Sequence, residues 1–522
     1  MKKTIAILSA VCIMAAAFTG CSEVEKLKID SENVIDSIDN TDNIPVFTEK
    51  AISVSTPEYV KYSKTIEAES GTLTGSAKIS KKVKGYKGKG YVEGITPDKK
   101  SSFSVKFSPK VAQYYNITLR VMSEKEVVNA VAVNGEEIKR FTSSGRGQFE
   151  TVSFENLYIS DDSFTVSVIA YDGGIAVDNI KVEASDKISK LSLKFKKKPS
   201  LINKSTDANT LNLYNKIIDN YGKRIFTSQY ASVGTNDELE LIYRTTGKYP
   251  AIRNGDMLSY TSDTLDIDEI EQAIEWANKG GIVSYMWHWS SPYDDNAYYA
   301  EETSFDLSKA VTNIKIAELS IEEIQKLQKN GKISSECLAI VKDIDAVSSQ
   351  ILRLKEQGIP VLWRPLHDAS RTSAGFWWGA KGFESYNWLW KLMYERQTKY
   401  FKLDNLIWVW SAQSKDWYVG DDYCDMISAD IYDNGSESSQ LASFLSLYDI
   451  SKNKPIALSE CANAPDISNM VRDKAMWSWF GVWSGNYIMN DDGSLSETYI
   501  SKDRLIEVYN NDKVITLDNA WK

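Results

Sequence analysis

Along residues 58–185 apolar and polar positions alternate with a period of two, in the short runs KTIEAES, FSVKFS, YNITLRV, NAVAVNG, FTVSVIAYD and IAVDNIKVEA. Turn residues separate these runs at the intervals of a β-sandwich, and they leave no room for long helices. From residue 208 to 522 the pattern changes. Helical periodicity now alternates with short apolar runs: TLNLYNKIIDNYG before RIFTSQY, ELELIYRTTG before YPAIRNGD, and IDEIEQAIEWANKGG before IVSYMWHW. AVSSQILRLKEQG then precedes IPVLWRP, YNWLWKLMYERQTKYFKL precedes NLIWVWS, DDYCD leads to MISADIY, and LASFLSLYDISKN to KPIALSE. Apolar strands spaced by helices form parallel β/α units, and this many in succession predict an α/β (β/α)8 TIM barrel. A doubly wound sheet would carry a glycine-rich phosphate turn after an early strand, and the sequence has none there.

Three segments follow neither pattern. Residues 1–21 read as an export signal, with Lys2-Lys3 ahead of the apolar run TIAILSAVCIMAAAF. Its end, Phe18-Thr19-Gly20-Cys21, resembles a lipoprotein signal, which implies that Cys21 is acylated and becomes the mature N-terminus. No other run approaches the ~20 apolar residues of a membrane span, so the only expected membrane contact is through that lipid. Residues 22–57 are acidic and polar and read as a flexible tether. Residues 186–207 hold the basic run Lys194–Ser200 and read as a solvated, Lys-rich linker. The expected organisation is therefore signal (1–21), tether (22–57), sandwich (58–185), linker (186–207) and barrel (208–522), on a monomer exported to a bacterial cell surface or secreted.

Composition narrows the partners. The net charge of −10 argues against nucleic acid. Among 522 residues there are 15 Trp, 28 Tyr and 16 Phe, which supply flat apolar faces of the kind that pack on sugar rings. With Cys12 and Cys21 in the signal, three cysteines remain, Cys337, Cys424 and Cys461, and an odd number forms no disulfide framework.

Each barrel strand ends in a polar or aromatic cluster: Asn254-Gly255-Asp256, Trp287-His288-Trp289, His367-Asp368, Trp410-Ser411, Asp430-Ile431-Tyr432 and Ser459-Glu460. In a barrel these converge on one face. The carboxylates to pair are Asp368 and Glu460. Cleavage of a glycosidic bond with retention needs two carboxyl groups about 5–5.5 Å apart, one to protonate the leaving oxygen and one to attack the anomeric carbon. Their environments must differ, and Tyr432 is placed to donate a hydrogen bond that keeps Glu460 ionised. The chain has only two histidines and no G-x-S-x-G elbow, which disfavours a serine triad. No H-x-x-x-H or H-E-x-x-H spacing supports a catalytic metal, so no cofactor is expected for catalysis.

The segments GKYPAIRNGDMLSY, MWHWSSP, VLWRPLHDAS with FWWGAKG, NLIWVW, DDYCDMISADIY, IALSE and MWSWFGVWSG, in this order, resemble glycoside hydrolase family 26, best known for endo-β-1,4-mannanases. The resemblance implies a barrel with retaining, double-displacement chemistry on β-mannan or a related plant polysaccharide. It implies Glu460 as nucleophile on the seventh strand and Asp368 as acid/base at the fourth. His288, His367, Trp378, Trp410, Asp430 and Tyr432 match positions that contact substrate or orient the nucleophile. Three departures cluster at the acid end. The family has glutamate where this chain has Asp368, a carboxyl withdrawn by about 1.5 Å. The loop Ser370–Gly375 is longer than the family's, and Gly375 stands where the family usually has tryptophan. The alternatives are therefore a related β-glycanase acting on xylan or glucan, or a carbohydrate-binding surface lipoprotein whose barrel has weakened catalysis.

In the sandwich, IEAESGTLTGSAKISKKVKGYKGKGYVEG and YDGGIAVDNIKV resemble carbohydrate-binding module family 35. That resemblance implies a structural calcium held by Glu67, Glu69 and Asp178, oxygen ligands suited to a hard cation. It offers Tyr86, Tyr91 and Tyr171 as sugar-contacting rings.

Overall fold

The computed structural model describes residues 44–97, 101–262, 265, 267–370, 375–432 and 438–521. The export signal, Cys21, most of the tether and loop residues 371–374 lie outside the described residues. Two compact units result: one of Val54–Leu193 with Val471–Lys474, and one of Lys194–Met470 and Ala475–Lys522 with the segment that precedes residue 54.

The first unit is built from antiparallel strands. β1 (Ser63–Glu67), β3 (Lys78–Ser80), β4 (Tyr91–Ile95), β6 (Gln113–Met122), β9 (Glu150–Ile159) and β11 (Ile175–Ala184) make one sheet. Its order is β3-β4-β11-β6-β9, with β1 also on β11. β2 (Thr72–Thr74), β5 (Ser102–Phe107), β7 (Glu126–Val133), β8 (Glu136–Ser144) and β10 (Phe164–Ala170) make the other, in the order β2-β5-β10-β7-β8. The two-residue alternation points one set of side chains into a shared core. Ile117, Leu119 and Val121 of β6 and Val177, Ile180 and Val182 of β11 join Val105 and Phe107 of β5 and Val166 and Val168 of β10. Asn134-Gly135 turns β7 into β8 with φ of 52° and 88°, the left-handed pair a two-residue hairpin of matching twist requires.

The second unit is the barrel. β12 (Ile225–Tyr230), β13 (Ile252–Asp256), β14 (Ile282–Met286), β15 (Val361–Arg364), β16 (Leu406–Trp410), β17 (Met426–Ile431), β18 (Ile456–Cys461) and β19 (Trp479–Val482) pair in parallel, each with the next. β12 pairs with both β13 and β19 and so closes the ring, while the short β20 (Val514–Ile515) adds to β12. Residues at the strand beginnings, among them Phe226, Ile252, Ile282, Leu362, Ile407, Ala457 and Trp479, fuse with Leu213 and Ile217 of helix α1 (Ala208–Asn220) into one core. The Asp207 side chain starts α1 by accepting from Thr210 N at 2.9 Å. With apolar residues gathered at that end, the polar residues of each strand collect at the other, where barrels carry their sites.

Two segments read as solvated turn out to be docked on the barrel. Within the tether, Lys50 N donates to Asn510 O at 2.8 Å and Ile52 N to Asp512 Oδ1 at 3.1 Å. Within the linker, the Phe195 ring meets Tyr221 edge-on at 5.0 Å and lies so close to Gly222, at φ 83°, that a Cβ there would come within 2.3 Å of it. Lys197 is 8% exposed, and its ammonium donates to Lys194 O at 2.9 Å and Lys452 O at 2.8 Å. A run such as KFKKK hides this, because pattern alone does not tell which lysine lays its stem on an apolar surface.

Burial pushes the Lys197 ammonium down to about 8 from an ordinary 10.5. Between those values the unfolded chain holds a proton that the folded chain has released, so native stability from this group rises as pH increases through the window. Urea unfolding at pH 7.5 and 9.5 is expected to show wild type gaining stability relative to Lys197→Met at the higher pH. An equal difference at both values would refute the buried ammonium.

Candidate active site

The last residue of β15 is a charge in an otherwise apolar strand, Val361-Leu362-Trp363-Arg364, and it is only 2% exposed. Buried guanidinium N–H groups need acceptors, and three neighbouring strands supply them together with Ser411, the residue that follows a fourth. Arg364 Nη1 donates to both oxygens of Asp430 at 3.1 and 3.0 Å and to Ser411 Oγ at 3.1 Å. Nη2 donates to Glu460 Oε1 and to the Tyr230 hydroxyl oxygen, the latter at 2.8 Å. The other oxygen of Glu460 accepts from the Tyr432 hydroxyl at 2.7 Å, and Ser459 Oγ donates to Asp430 Oδ1 at 2.6 Å. Burial pushes the Asp430 carboxyl well up; Arg364 pulls it down, and the charges of Glu460 and Asp368 push it up again. Next to Glu460, the Cys461 thiol donates to Gly481 O at 3.3 Å, and burial raises its pKa, so this cysteine is an inert packing group.

Beyond Arg364 the chain turns sharply. Leu366 and Asp368 both adopt left-handed backbone, with φ of 53° and 54°, at a cost of roughly 1–2 kcal/mol for an L-residue such as leucine. Asp368 N donates to Ser411 O at 3.2 Å, and Gln413 Nε2 donates to Asp368 Oδ1 at 2.5 Å. The carboxylate is 8% exposed. Burial pushes the Tyr299 hydroxyl up, as do the charges of Glu302, Asp368 and Glu460. Ser411 links the two acids: its carbonyl oxygen accepts from Asp368 N, and its hydroxyl accepts from Arg364, which also donates to Glu460.

Next to Asp368 in the chain, His367 belongs to a cluster of rings. His367 meets His288 at 4.8 Å and 88°, and Phe376 at 4.8 Å and 63°. Phe376 stacks on Trp378 at 4.2 Å and on Tyr299 at 5.3 Å, an apolar platform directly after Gly375. His288 Nδ1 bonds Asp256 Oδ2 at 2.5 Å, and its backbone N donates to Asp256 Oδ1 at 2.9 Å. Burial disfavours the imidazolium, but the charge of Asp256 and its hydrogen bond outweigh that and raise the pKa.

The structure thus gathers Asp368, Glu460, His288, His367, Asp430 and Tyr432. Trp378 and Trp410 differ from expectation: both have no accessible surface, so neither offers a ring to a sugar. Trp378 Nε1 instead donates to His367 O at 2.9 Å, and Trp410 packs edge-on to Tyr418 at 5.1 Å. Four residues escaped sequence reading: Arg364, Tyr230, Gln413 and Tyr299. Only Arg364 left a trace there, as a charge closing an apolar run.

In the sandwich, Glu67 and Glu69 fit a hard cation better than Asp178 does. Glu67 Oε2 and Glu69 Oε2 are buried without hydrogen-bond partners, and burial with the charges of Asp178 and Glu69 pushes the Glu67 carboxyl up. Asp178 is committed elsewhere. Its oxygens accept from Lys87 N at 2.8 Å, Arg120 Nε at 2.9 Å and Asn179 Nδ2 at 3.1 Å. Among the described residues no three His, Cys, Asp or Glu side chains form a ready metal cluster. Tyr91, offered as a sugar contact, is buried, with its hydroxyl between Ser80 and Glu93.

The family model for glycosyl hydrolase family 26 matches residues 202–519. A mannan endo-1,4-β-mannosidase of Thermothelomyces thermophilus is 30% identical over 477 residues, covering 88% of this chain and 91% of that one. A mannan endo-1,4-β-mannosidase A of a Piromyces species is 30% identical over 468 residues, covering 87% and 72%. Among solved structures, a Podospora anserina GH26–CBM35 β-(1,4)-mannanase superposes with a TM-score of 0.59 at 30% identity, covering 88% of this chain and 98% of that one. A β-mannanase from a protist symbiont of the termite Reticulitermes speratus, complexed with gluco-manno-oligosaccharide, gives 0.54 at 29% identity, covering 63% and 99%.

Arg364→Met strands two buried carboxylates and is expected to destabilise the barrel by about 3–5 kcal/mol in urea unfolding. Adding Asp430→Asn removes one stranded charge and should recover part of the loss. Purely additive single-variant effects would contradict the network.

Proposed function

Because the chain belongs to glycosyl hydrolase family 26, we propose that it cleaves internal β-1,4-mannosidic bonds of mannan-type polysaccharides by a retaining double displacement, with Glu460 as nucleophile and Asp368 as acid/base. The observation that carries this reading is the pair of donors on Glu460: Arg364 on one oxygen, Tyr432 on the other. Donors on both oxygens fix the direction of a carboxylate, as attack on an anomeric carbon needs. In the first step Glu460 bonds to the anomeric carbon while Asp368 gives its proton to the departing glycosidic oxygen. In the second, Asp368 takes a proton from water, which displaces Glu460. His288, held by Asp256, and His367 frame the sugar between the acids, and the Phe376–Trp378 stack with Tyr299 supplies the apolar backing.

The acid arm is also proposed to be compensated. The left-handed turn at Leu366 and Asp368 re-aims the shorter carboxylate, and Gln413 holds its far oxygen. The shorter arm of Asp368 at the acid position supports the second reading, a glycan-binding protein with weakened hydrolysis. The sandwich is proposed as a family-35-like module that keeps polysaccharide near the barrel and raises its effective concentration. Glu67 and Glu69 are the proposed calcium ligands there, with a calcium supplying rigidity to the loop around Gly88. Cys21 is the proposed lipid anchor at the cell surface.

Glu460→Gln is expected to lower mannan hydrolysis by more than about 1,000-fold, read as reducing ends released. Asp368→Ala should lose at least about 100-fold on mannan yet keep a burst with an aryl β-mannoside whose leaving group needs no proton. Full retention of mannan hydrolysis in Asp368→Ala would remove Asp368 from the mechanism. Mannan hydrolysis that improves in Asp368→Glu while the burst stays constant would favour the weakened-acid reading.

A further inference from the structure

The hairpin that joins β3 to β4 in the sandwich carries a charge that neither the reaction nor the proposed calcium ligands use. From Lys78 to Lys89 it reads KISKKVKGYKGK, six lysines and no acid, in a chain of net charge −10. All six lysines are exposed. Other groups make the inward contacts of this loop. Val83 and Tyr86 pack on the small cluster of Tyr91, Met122 and Ala176. Lys87 N donates to Asp178 Oδ1 at 2.8 Å, Lys89 N to Glu69 Oε1 at 2.7 Å, and Arg120 Nη2 to Gly85 O at 2.8 Å. Gly88 lies so close to Glu69 that a Cβ there would come within 2.7 Å of its Oε1. The nearby acids thus grip the backbone of the loop from inside, and the ammonium groups are left on its outer side. Lys78 and Lys82 share Glu93, at 3.9 and 3.7 Å, and the charge of Lys87 reaches Glu67. Lys81, Lys84 and Lys89 have no ion-pair partner among the described residues. The lysine-rich run of the linker behaves differently, since it buries Lys197 against backbone carbonyls.

We propose that this hairpin is a docking surface for a membrane leaflet rich in anionic phospholipid headgroups, contacted by Lys81, Lys84, Lys87 and Lys89. Charge complementarity selects that partner: a neutral polysaccharide offers nothing to four ammonium groups, whereas clustered lysines are drawn to an anionic leaflet. The negative charge of the rest of the chain does not prevent the contact, because salt screens exposed charges beyond about 10 Å and leaves the local patch in control. The setting rests on the reading of Cys21 as a lipid anchor, which keeps the chain beside a bilayer; the hairpin then decides which side of the sandwich lies on it. The contact itself does not depend on the lipid.

The test uses the mature chain from residue 21 with Cys21→Ser, so that no acyl group contributes, in sedimentation with vesicles. Binding is expected to vesicles of equal parts phosphatidylglycerol and phosphatidylcholine at about 0.1 M salt, with release at about 0.5 M and none to phosphatidylcholine alone. Lys81→Gln/Lys84→Gln/Lys87→Gln/Lys89→Gln should lower the partition coefficient at least about 30-fold, from roughly fivefold per lysine. Lys61→Gln/Lys64→Gln/Lys106→Gln/Lys110→Gln removes the same charge from exposed positions elsewhere on the sandwich and should change it much less. No binding of the unsubstituted chain to the anionic vesicles overturns the proposal, as does equal binding of the hairpin variant. An equal loss in both variants also overturns it, since net charge and not the hairpin would then be at work. Retention on soluble polygalacturonate without binding to vesicles would make an acidic polysaccharide the partner and overturn the membrane. A native protein that takes up no labelled fatty acid at Cys21 ends the anchor reading alone and leaves the vesicle result standing.

Discussion

A guanidinium without access to water must find its hydrogen-bond acceptors inside the protein, and at Arg364 those acceptors come at once from β12, β17 and β18 and from Ser411, the residue that follows β16. Each of those strands must therefore end at a defined height and carry its polar residue at a defined register. The charge balance sets the identity of the partners. One cation faces Asp430 and Glu460, and Tyr432 and Ser459 add neutral donors to the same two carboxyl groups. A carboxylate held this way is oriented on both oxygens and has little freedom to turn.

The acid side is built on a different principle. Asp368 N donates to Ser411 O, Gln413 Nε2 donates to Asp368 Oδ1, and the left-handed turn of its own backbone sets its direction. Two left-handed residues within three positions bend the chain immediately past the rigid strand, and aspartate tolerates that region better than most side chains.

Much of the architecture was legible from periodicity. The change from a two-residue to a 3.6-residue repeat separated the sandwich from the barrel, because side chains alternate across a strand and spiral around a helix whatever the fold. Strand ends were legible as polar clusters for the same reason: a strand buried on both faces stays apolar until it leaves the core. The linker was misread because Lys194–Ser200 has the composition of a solvated run, while its one phenylalanine and one of its lysines find apolar cover on the barrel. Trp378 and Trp410, matched through the resemblance to positions that contact substrate or orient the nucleophile, are buried in this structure, because tryptophan serves equally as wall and as core.

By itself the sequence determined the elements, their order, the family and the pair of acids at the ends of the fourth and seventh strands of the barrel. Only the tertiary structure decided what those acids touch. Arg364 and Asp430 are 66 positions apart and Arg364 and Glu460 are 96 apart, and no local pattern relates them. The physical reason is that periodicity is a property of neighbours along the chain, whereas the partner of a buried charge is fixed by closure of the barrel, which brings remote residues within hydrogen-bond reach and excludes the water that would otherwise serve any of them.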